Sequence, residues 1–227
     1  MSTTVDVKEM LNAAVHFGHK TAKWHPKMSK YIHGKKDGIH VIDLFKTKEA
    51  LEKAKEFLAT CEKEGKTVLF VATKPQAATY VSEACKSSGL PFVTSKWISG
   101  LLTNFSTVKV RIRYLNRLKE EAETGELEKY TKKEISKLKK VGVKLEESLG
   151  GVGKMTALPD AVVVFDAVRD RIAIKEAKKL GIPIVAVCDT NADPMGIDYI
   201  IPGNDDSIKS IDYFVKELVG AVKSARK

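Results

Sequence analysis

The sequence predicts an α/β protein, in which a parallel sheet is covered by helices on both faces and a helical hairpin is inserted into the chain. Apolar runs of strand length alternate with amphipathic helical stretches through most of the 227 residues, as is typical of parallel sheets. Two of these runs, Thr67–Ala72 and Ile182–Cys188, are almost wholly apolar, which favours strands buried on both faces. Between residues 105 and 150 a helical period replaces the alternation.

The first half of the chain is predicted to contain three helices and three strands. In chain order we expect a helix at Val5–Val15, a strand at Ile39–Leu44, a helix at Lys48–Lys63, a strand at Thr67–Ala72, a helix at Pro75–Ser87 and a strand at Pro91–Thr94. Thr47 is a suitable N-cap for the second helix, because its hydroxyl can accept a hydrogen bond from a free backbone N–H. Leu51 and Leu58 lie on the apolar face of that helix.

The interruption at 105–150 reads as two antiparallel helices. Apolar residues recur at spacings of three and four on both sides of Thr124–Gly125, which separates the helices. After the hairpin we expect a strand at Ala161–Asp166, a helix at Arg171–Leu180, a strand at Ile182–Cys188, a short strand around Tyr199 and a helix from Ser207 onward. The predicted organisation is therefore an N-terminal helix and arm at 1–40, a sheet domain at 41–104 and 151–227, and the hairpin at 105–150.

The composition indicates an anionic partner. The formal net charge is +10 and the pI is about 9.3, and a surplus of this size is typical of proteins that bind nucleic acid. A basic soluble protein without such a partner is the alternative. The three cysteines (Cys61, Cys85 and Cys188) have no paired spacing, which favours reduced thiols in the cytoplasm. No apolar run approaches the ~18 residues of a membrane span and the N-terminal residues do not resemble a secretory signal, so we expect no membrane partner.

The segment 16–40 carries the clearest binding signal. It contains all five histidines and six lysines, but only one carboxylate, Asp37. Lysines can neutralise phosphates, while Trp24, His25 and Tyr31 could stack on unpaired bases. The pair Lys96–Trp97 repeats this combination. The alternative is that Trp24 and Tyr31 are core aromatics beneath a solvated loop.

Carboxylates follow the last two strand runs. Asp189 and Asp193 come after one run, and Asp205 and Asp206 come after the other. Because ligands bind outside the carboxyl ends of parallel strands, these residues could form an active site or hold a divalent ion, Mg²⁺ or Zn²⁺, together with a histidine. We expect His19, Asp189 and Asp205 as the ligands of such an ion. The alternative is that the carboxylates cap turns and helices.

No catalytic residue is predicted. The glycine cluster at 148–154 lacks the first glycine of a phosphate-binding loop, and Met155 replaces the hydroxyl that would hold magnesium. The cluster instead predicts the end of a helix. Cys188 lies in an apolar run, where a thiol is usually inert. An α/β enzyme or nucleotide-binding module that uses the strand-end carboxylates remains the alternative function.

Several motifs together resemble the bacterial form of the ribosomal protein S2 family. They are His16-Phe-Gly-His19, Trp24-His-Pro-Lys-Met28, Ile39-His-Val-Ile-Asp43, Leu101-Leu-Thr-Asn104, Ser148-Leu-Gly-Gly151, Leu158-Pro-Asp160, Asp189-Thr-Asn-Ala-Asp-Pro194 and Ile201-Pro-Gly-Asn-Asp-Asp206. The motifs are ordered and span nearly the whole chain. Lys23 and His25 depart from the family pattern, which usually has Arg and Asn there.

The resemblance implies a flavodoxin-like sheet domain with a coiled-coil hairpin. It also implies a non-enzymatic structural part of the small ribosomal subunit that binds 16S rRNA, contacts neighbouring small-subunit proteins and needs no cofactor. The large multi-domain mRNA-binding ribosomal protein would dock on it. From the residues and the resemblance together, we expect RNA contacts from Lys20, Lys23, Trp24, His25, Lys27, Lys30, Tyr31, Lys35, Lys36, Lys96, Trp97, Asn104, Lys109, Arg111, Arg113 and Arg117. The other hairpin charges are interpreted as a solvated surface with ion pairs.

Overall fold

The computed structural model describes residues 5–125 and 129–226. The helices are α1 (Val7–Asn12), α2 (Leu44–Lys63), α3 (Pro75–Ser88), α4 (Phe105–Glu123), α5 (Lys132–Leu149), α6 (Arg171–Lys179) and α7 (Ile208–Ala225). The strands are β1 (Phe17–Lys20), β2 (Ile32–Lys36), β3 (Ile39–Ile42), β4 (Val68–Val71), β5 (Phe92–Val93), β6 (Ala161–Val164), β7 (Ile184–Cys188) and β8 (Tyr199–Pro202). None of the described helices has the length and apolarity that crossing a membrane requires.

The central sheet has five parallel strands in the order β5-β4-β6-β7-β8. This is the flavodoxin-like order, in which the first strand along the chain lies between the second and the third. Every residue of β4, β6 and β7 is buried, as their apolar runs predict. The predicted α/β fold is therefore confirmed.

Helices cover both faces of this sheet. Successive strand residues point to opposite sides, so apolar strands present an apolar surface on each face. Val68 and Phe70 pack in one core with α2, α3 and α7. Leu69 and Val71 pack in a second core with α6 and the base of the hairpin. Because the five strands are parallel, their carboxyl ends all lie at one edge of the sheet. The connecting segments bring polar residues together at this edge.

A second, smaller sheet is formed by the arm. Strands β1, β3 and β2 pair antiparallel in that order. The sequence pattern predicts no strands at 16–38, since Ile32–Lys36 is polar and shows no alternation of apolar residues. The predicted boundary at residue 40 also falls within β3, which belongs to the arm's sheet rather than to the central sheet.

Helix α2 begins earlier than predicted. Asp43 is its N-cap and accepts hydrogen bonds from the backbone N–H groups of Phe45 and Lys46. Thr47, the predicted cap, is buried inside the first turn and donates its hydroxyl to the carbonyl of Pro202 at 2.7 Å. The hydroxyl therefore ties α2 to β8 instead of capping the helix.

Two helices, α4 and α5, lie within the predicted hairpin range and pack side by side. Asn116 donates to the carbonyl of Gly153 at 3.0 Å, and Lys119 lies 2.6 Å from Glu146. The partner numbers fall as the α4 numbers rise, so the helices run antiparallel. Helix α5 starts with a capping box between Thr131 and Glu134 and ends at the glycine cluster, as predicted.

The carboxylate of Glu176 on α6 positions the segment that enters the hairpin. It is buried and accepts hydrogen bonds from Trp97 Nε1 at 3.0 Å and from the backbone N–H groups of Gly100, Leu102 and Thr103 at 2.8 to 3.1 Å. These donors lie in a turn just before α4 and would otherwise be left without partners. One carboxylate thus fixes the root of the hairpin on the sheet domain.

Candidate functional site: the carboxyl edge of the sheet and the basic arm

Lys74 is the centre of a cluster of charges at the carboxyl edge of the sheet. It follows β4, and its Nζ lies 3.2 Å from Asp166, 2.7 Å from Asp205 and 2.6 Å from Asp206. Asp166 follows β6, while the other two carboxylates follow β8. The ammonium group therefore holds together three strand ends that are far apart in the sequence.

The local electrostatics act in opposite ways on the members of this cluster, because they favour the charged form of Lys74 and the neutral form of Asp205. Burial alone lowers the pKa of Lys74, but the surrounding carboxylates outweigh it and hold the pKa above its usual value. Burial, together with the charges of Asp166 and Asp189, raises the pKa of Asp205. Because Lys74 lies between the carboxylates, it compensates part of their negative charge within the protein.

His19 of β1 forms a second cluster beside the first. Its Nδ1 lies 3.1 Å from Asp189, and its Nε2 lies 3.4 Å from Asp206. The hydrogen bond with Asp189 raises the pKa of His19, with burial opposing it. Ligand atoms of His19, Asp189 and Asp206 all lie within 4.8 Å of one another, so these three side chains could hold a metal ion.

This group differs at one position from the predicted ligand set of His19, Asp189 and Asp205. Asp205 is buried against Lys74, whereas Asp206 contacts Lys74 through one carboxylate oxygen and lies 3.4 Å from His19 Nε2 through the other. In the alternative interpretation Asp206 would cap a turn, but Asn204 does this by accepting hydrogen bonds from the backbone N–H groups of Asp206 and Ser207. Asp193 does cap a turn, because it accepts a hydrogen bond from the N–H of Met195 at 3.1 Å.

The arm is held across this edge of the sheet. Thr190 binds it at two places, since its hydroxyl accepts from the N–H of His19 at 2.9 Å and its carbonyl accepts from the N–H of His25 at 2.7 Å. Asn204 donates its backbone N–H to the carbonyl of Val15 at 3.0 Å. A Cβ on Gly18 would lie 2.6 Å from the Thr190 methyl group, so glycine allows this close approach. The arm thus covers the edge at which an α/β enzyme would bind its ligand.

The arm lysines that are predicted to contact RNA all lie on the surface. The six are Lys20, Lys23, Lys27, Lys30, Lys35 and Lys36. Lys27 lies 3.5 Å from Asp193, and Lys30 lies over the ring of Tyr31 at 4.8 Å. The other four have no ion pair with any described residue. Their charges are consequently available to an external anion.

The aromatic residues divide into exposed and buried groups. Trp24 is 39% exposed and lies against His40 with ring centroids 5.2 Å apart. Tyr31 is half-buried against one of the two cores of the sheet domain. Trp97 is only 7% exposed, and its indole N–H is taken up by Glu176. Trp97 is therefore too buried to stack on a base, contrary to expectation. Trp24, in contrast, presents part of its ring to solvent.

Some of the residues that are predicted to contact RNA in or near the hairpin already have partners within the protein. Lys109 donates to the carbonyl of Thr156 at 2.7 Å, and Arg117 lies 3.2 Å from Glu121. Two cations of α4 (Arg111 and Arg113) are exposed and unpaired among the described residues, as is Lys96. Asn104 is exposed at the start of α4 and accepts a hydrogen bond from the hydroxyl of Thr107 at 2.9 Å.

Sequence reasoning missed the residues that assemble the edge of the sheet. Lys74, Asp166, Thr190 and Asn204 form its charge cluster and hold the arm. Each follows a strand by a few residues, and this position is the signal that could have indicated them. Their partners could not be assigned, because Lys74 and Asp205 are 131 positions apart in the chain.

Comparison with known proteins adds to this geometry. The family model of ribosomal protein S2 matches residues 10–225. The small ribosomal subunit protein uS2 of a Nitratiruptor species is 49% identical over 218 residues, which cover 96% of this chain and 82% of the relative. The protein of that name from Francisella tularensis subsp. novicida is 48% identical over 220 residues, or 97% of this chain and 92% of the relative.

Proposed function

The chain belongs to the ribosomal protein S2 family, and on this premise we propose that it binds 16S rRNA through its basic arm and its helical hairpin. Membership makes it a structural, non-enzymatic component of the small ribosomal subunit, which works in the bacterial cytoplasm. The finer proposal concerns how the protein is held there. Its neighbours in the subunit would include rRNA and other ribosomal proteins.

The observation that carries the proposal is the set of unpaired cations on the arm. Lys20, Lys23, Lys35 and Lys36 are exposed without a carboxylate partner among the described residues, although the chain has 29 Asp and Glu. The backbone of the arm is also held by Thr190 at His19 and His25, so the segment that carries these lysines is already folded before binding. A positioned set of lysines beside the partly exposed ring of Trp24 suits a folded RNA, in which phosphates and unstacked bases occur together.

The test is the salt dependence of binding to 16S rRNA. In the full chain, the triple change Lys23→Gln, Lys35→Gln and Lys36→Gln should weaken binding and reduce the salt slope by about 2 to 3, since each lost phosphate contact removes roughly 0.7 to 0.9. Affinity would be measured by filter binding across a series of potassium chloride concentrations.

A matched control separates specific contacts from net charge. The triple change Lys63→Gln, Lys175→Gln and Lys223→Gln removes the same charge from exposed lysines on α2, α6 and α7, none of which has an ion pair with a described residue. Equal slopes for the two variants would contradict the proposal that the arm binds RNA. A wild-type chain that does not bind 16S rRNA at all would contradict the larger proposal.

The carboxyl edge of the sheet supports two further assignments. We propose that it is the docking surface for the large mRNA-binding ribosomal protein, because exposed apolar side chains flank it: Phe17 on β1 is 47% exposed and Ile208 on α7 is 50% exposed. We also propose that His19, Asp189 and Asp206 hold a divalent ion. One imidazole and two carboxylates suit Zn²⁺ better than Mg²⁺, which prefers oxygen ligands alone.

Each assignment has its own measurement. The double change Phe17→Ser and Ile208→Ser should abolish co-purification with the mRNA-binding protein while leaving rRNA binding unchanged, and retained co-purification would refute the docking surface. Calorimetric titration with Zn²⁺ should show one site that is lost in His19→Asn. If the wild-type protein takes up no zinc, the metal assignment is wrong.

A further inference from the structure

One face of α5 carries a stripe of lysines. The stripe consists of Lys133, Lys137, Lys140 and Lys144, which follow one another at spacings of four, three and four residues. A helix has 3.6 residues per turn, so these spacings place all four side chains on one face. At a rise of about 1.5 Å per residue, the stripe is about 17 Å long, with neighbours about 4.5 to 6 Å apart along the axis.

The stripe faces away from the rest of the hairpin. Four apolar residues of α5 (Ile135, Leu138, Leu145 and Leu149) are buried or half-buried on the side that packs against α4 and the sheet domain, whereas Val141 and Val143 are exposed. The four lysines lie roughly on the opposite side and are all exposed. A long, accessible row of cations therefore lines the outer surface of α5.

Few carboxylates lie near this row: Glu134 and Glu147 are each three residues from one of its lysines. Glu134 precedes Lys137 by one turn, but its carboxylate binds the N–H and the hydroxyl of Thr131 in the capping box. Glu146 lies 2.6 Å from Lys119 of α4. Among the described residues, no carboxylate forms an ion pair with any lysine of the stripe.

Other surface helices of the same chain are arranged differently. On α2, Lys53 lies 2.6 Å from Glu49, and on α7, Lys216 lies 2.6 Å from Asp212, each four residues apart. On α5, by contrast, each lysine of the stripe has another lysine of the stripe three or four residues away. Like charges at these spacings repel and destabilise a helix. A helix that keeps such a stripe is stabilised when an anion covers it.

We infer that the lysine stripe of α5 binds the phosphate backbone of rRNA and is the principal RNA contact of the hairpin. This rests on the proposed function and assigns the hairpin's contact to its second helix, whereas the sequence pattern favours the first. Two of the four cations predicted on α4 are less available, because Lys109 and Arg117 already have partners within the chain. Exposed lysines are typical phosphate ligands, and contacts to phosphate position a protein on RNA without reading its sequence.

The test uses the full chain with all four stripe lysines replaced by glutamine. Glutamine removes the charge but is about as good a helix former as lysine, so α5 should stay intact, which circular dichroism would check. We expect affinity for 16S rRNA to fall at least tenfold at about 0.1 M salt and the salt slope to fall by about 3, since four phosphate contacts are lost. Replacement of the same four lysines by arginine should restore both values.

The matched control replaces Lys63, Lys175, Lys179 and Lys223 by glutamine, an equal loss of charge from exposed positions outside the hairpin that form no ion pair with a described residue. The inference is overturned if wild type binds rRNA with a steep salt slope and the stripe variant behaves like this control. That outcome differs from failure of the proposed function, in which the wild-type chain itself would not bind.

Discussion

At the scale of single residues, two buried charges hold together parts of the chain that are distant in sequence. Lys74 joins the ends of β6 and β8, and Glu176 fixes the turn that leads into α4. Both are fully partnered, which is the condition under which a buried charge is tolerated. Removing one member of such a group leaves its partners buried and unpaired.

Glu176→Gln should destabilise the protein. Hydrogen bonds to a charged acceptor contribute about 1.5 to 3 kcal/mol, and the glutamine amide would face backbone donors with an NH₂ group. We expect the free energy of unfolding in urea to fall by about 2 kcal/mol at pH 7. Glu56→Gln, at an exposed position of α2, is the control and should change it little.

The loss of stability in Glu176→Gln should become smaller as the pH falls. Burial alone raises the pKa of Glu176, but the hydrogen bonds from Trp97 and the turn outweigh it, so the folded-state pKa lies below the usual value. Its stabilisation is therefore complete above the unfolded pKa of about 4.3 and is lost as pH falls through the folded pKa. The difference between wild type and Glu176→Gln should shrink below about pH 4. A difference that grows on acidification would contradict this account.

At the scale of elements, caps and turns decide where helices begin and end. Asp43 and Thr47 are both good N-cap residues, and the sequence pattern favours the second. The structure uses Asp43, because only a helix that starts at Leu44 brings the Thr47 hydroxyl to the carbonyl of Pro202. The strands of the arm are missed for a similar reason, since their pairing comes from tertiary contacts and not from alternation of apolar residues.

Replacement of two glycines by alanine, one within the hairpin and one just after it, should change the stability of the protein in opposite directions. Gly151 packs on β5, where a Cβ would lie 2.2 Å from the carbonyl oxygen of Phe92, so Gly151→Ala should lower the melting temperature. Gly142 lies within α5, and a Cβ there would meet no neighbouring group within 4 Å, so Gly142→Ala should raise stability by up to about 1 kcal/mol. Differential scanning calorimetry would measure both, and shifts of the same sign would count against the described hairpin root.

At the scale of the whole molecule, the two proposed RNA contacts lie on separate elements. No hydrogen bond or ion pair of the described residues joins the arm to α5. Distant sites usually contribute independently. A chain that combines the arm substitutions with the stripe substitutions should therefore bind rRNA more weakly than wild type. The decrease in the logarithm of its affinity should equal the sum of the decreases in the two separate variants. Filter binding of the four chains would check this, and a combined loss no larger than either single loss would mean that the two surfaces do not bind together.

The parallel sheet, the inserted helices and the basic character of the molecule follow from the amino-acid sequence, because burial on both faces requires apolar runs and net charge is additive. It also carried the motifs that place the chain in its family. Which charged side chains lack a partner depends instead on the folded arrangement of the chain. Trp97 is buried against Glu176, Asp205 is paired with Lys74, and the lysine stripe of α5 has no ion-pair partner among the described residues. Ion pairs and burial depend on proximity between residues that are far apart in sequence, and no local pattern specifies that proximity.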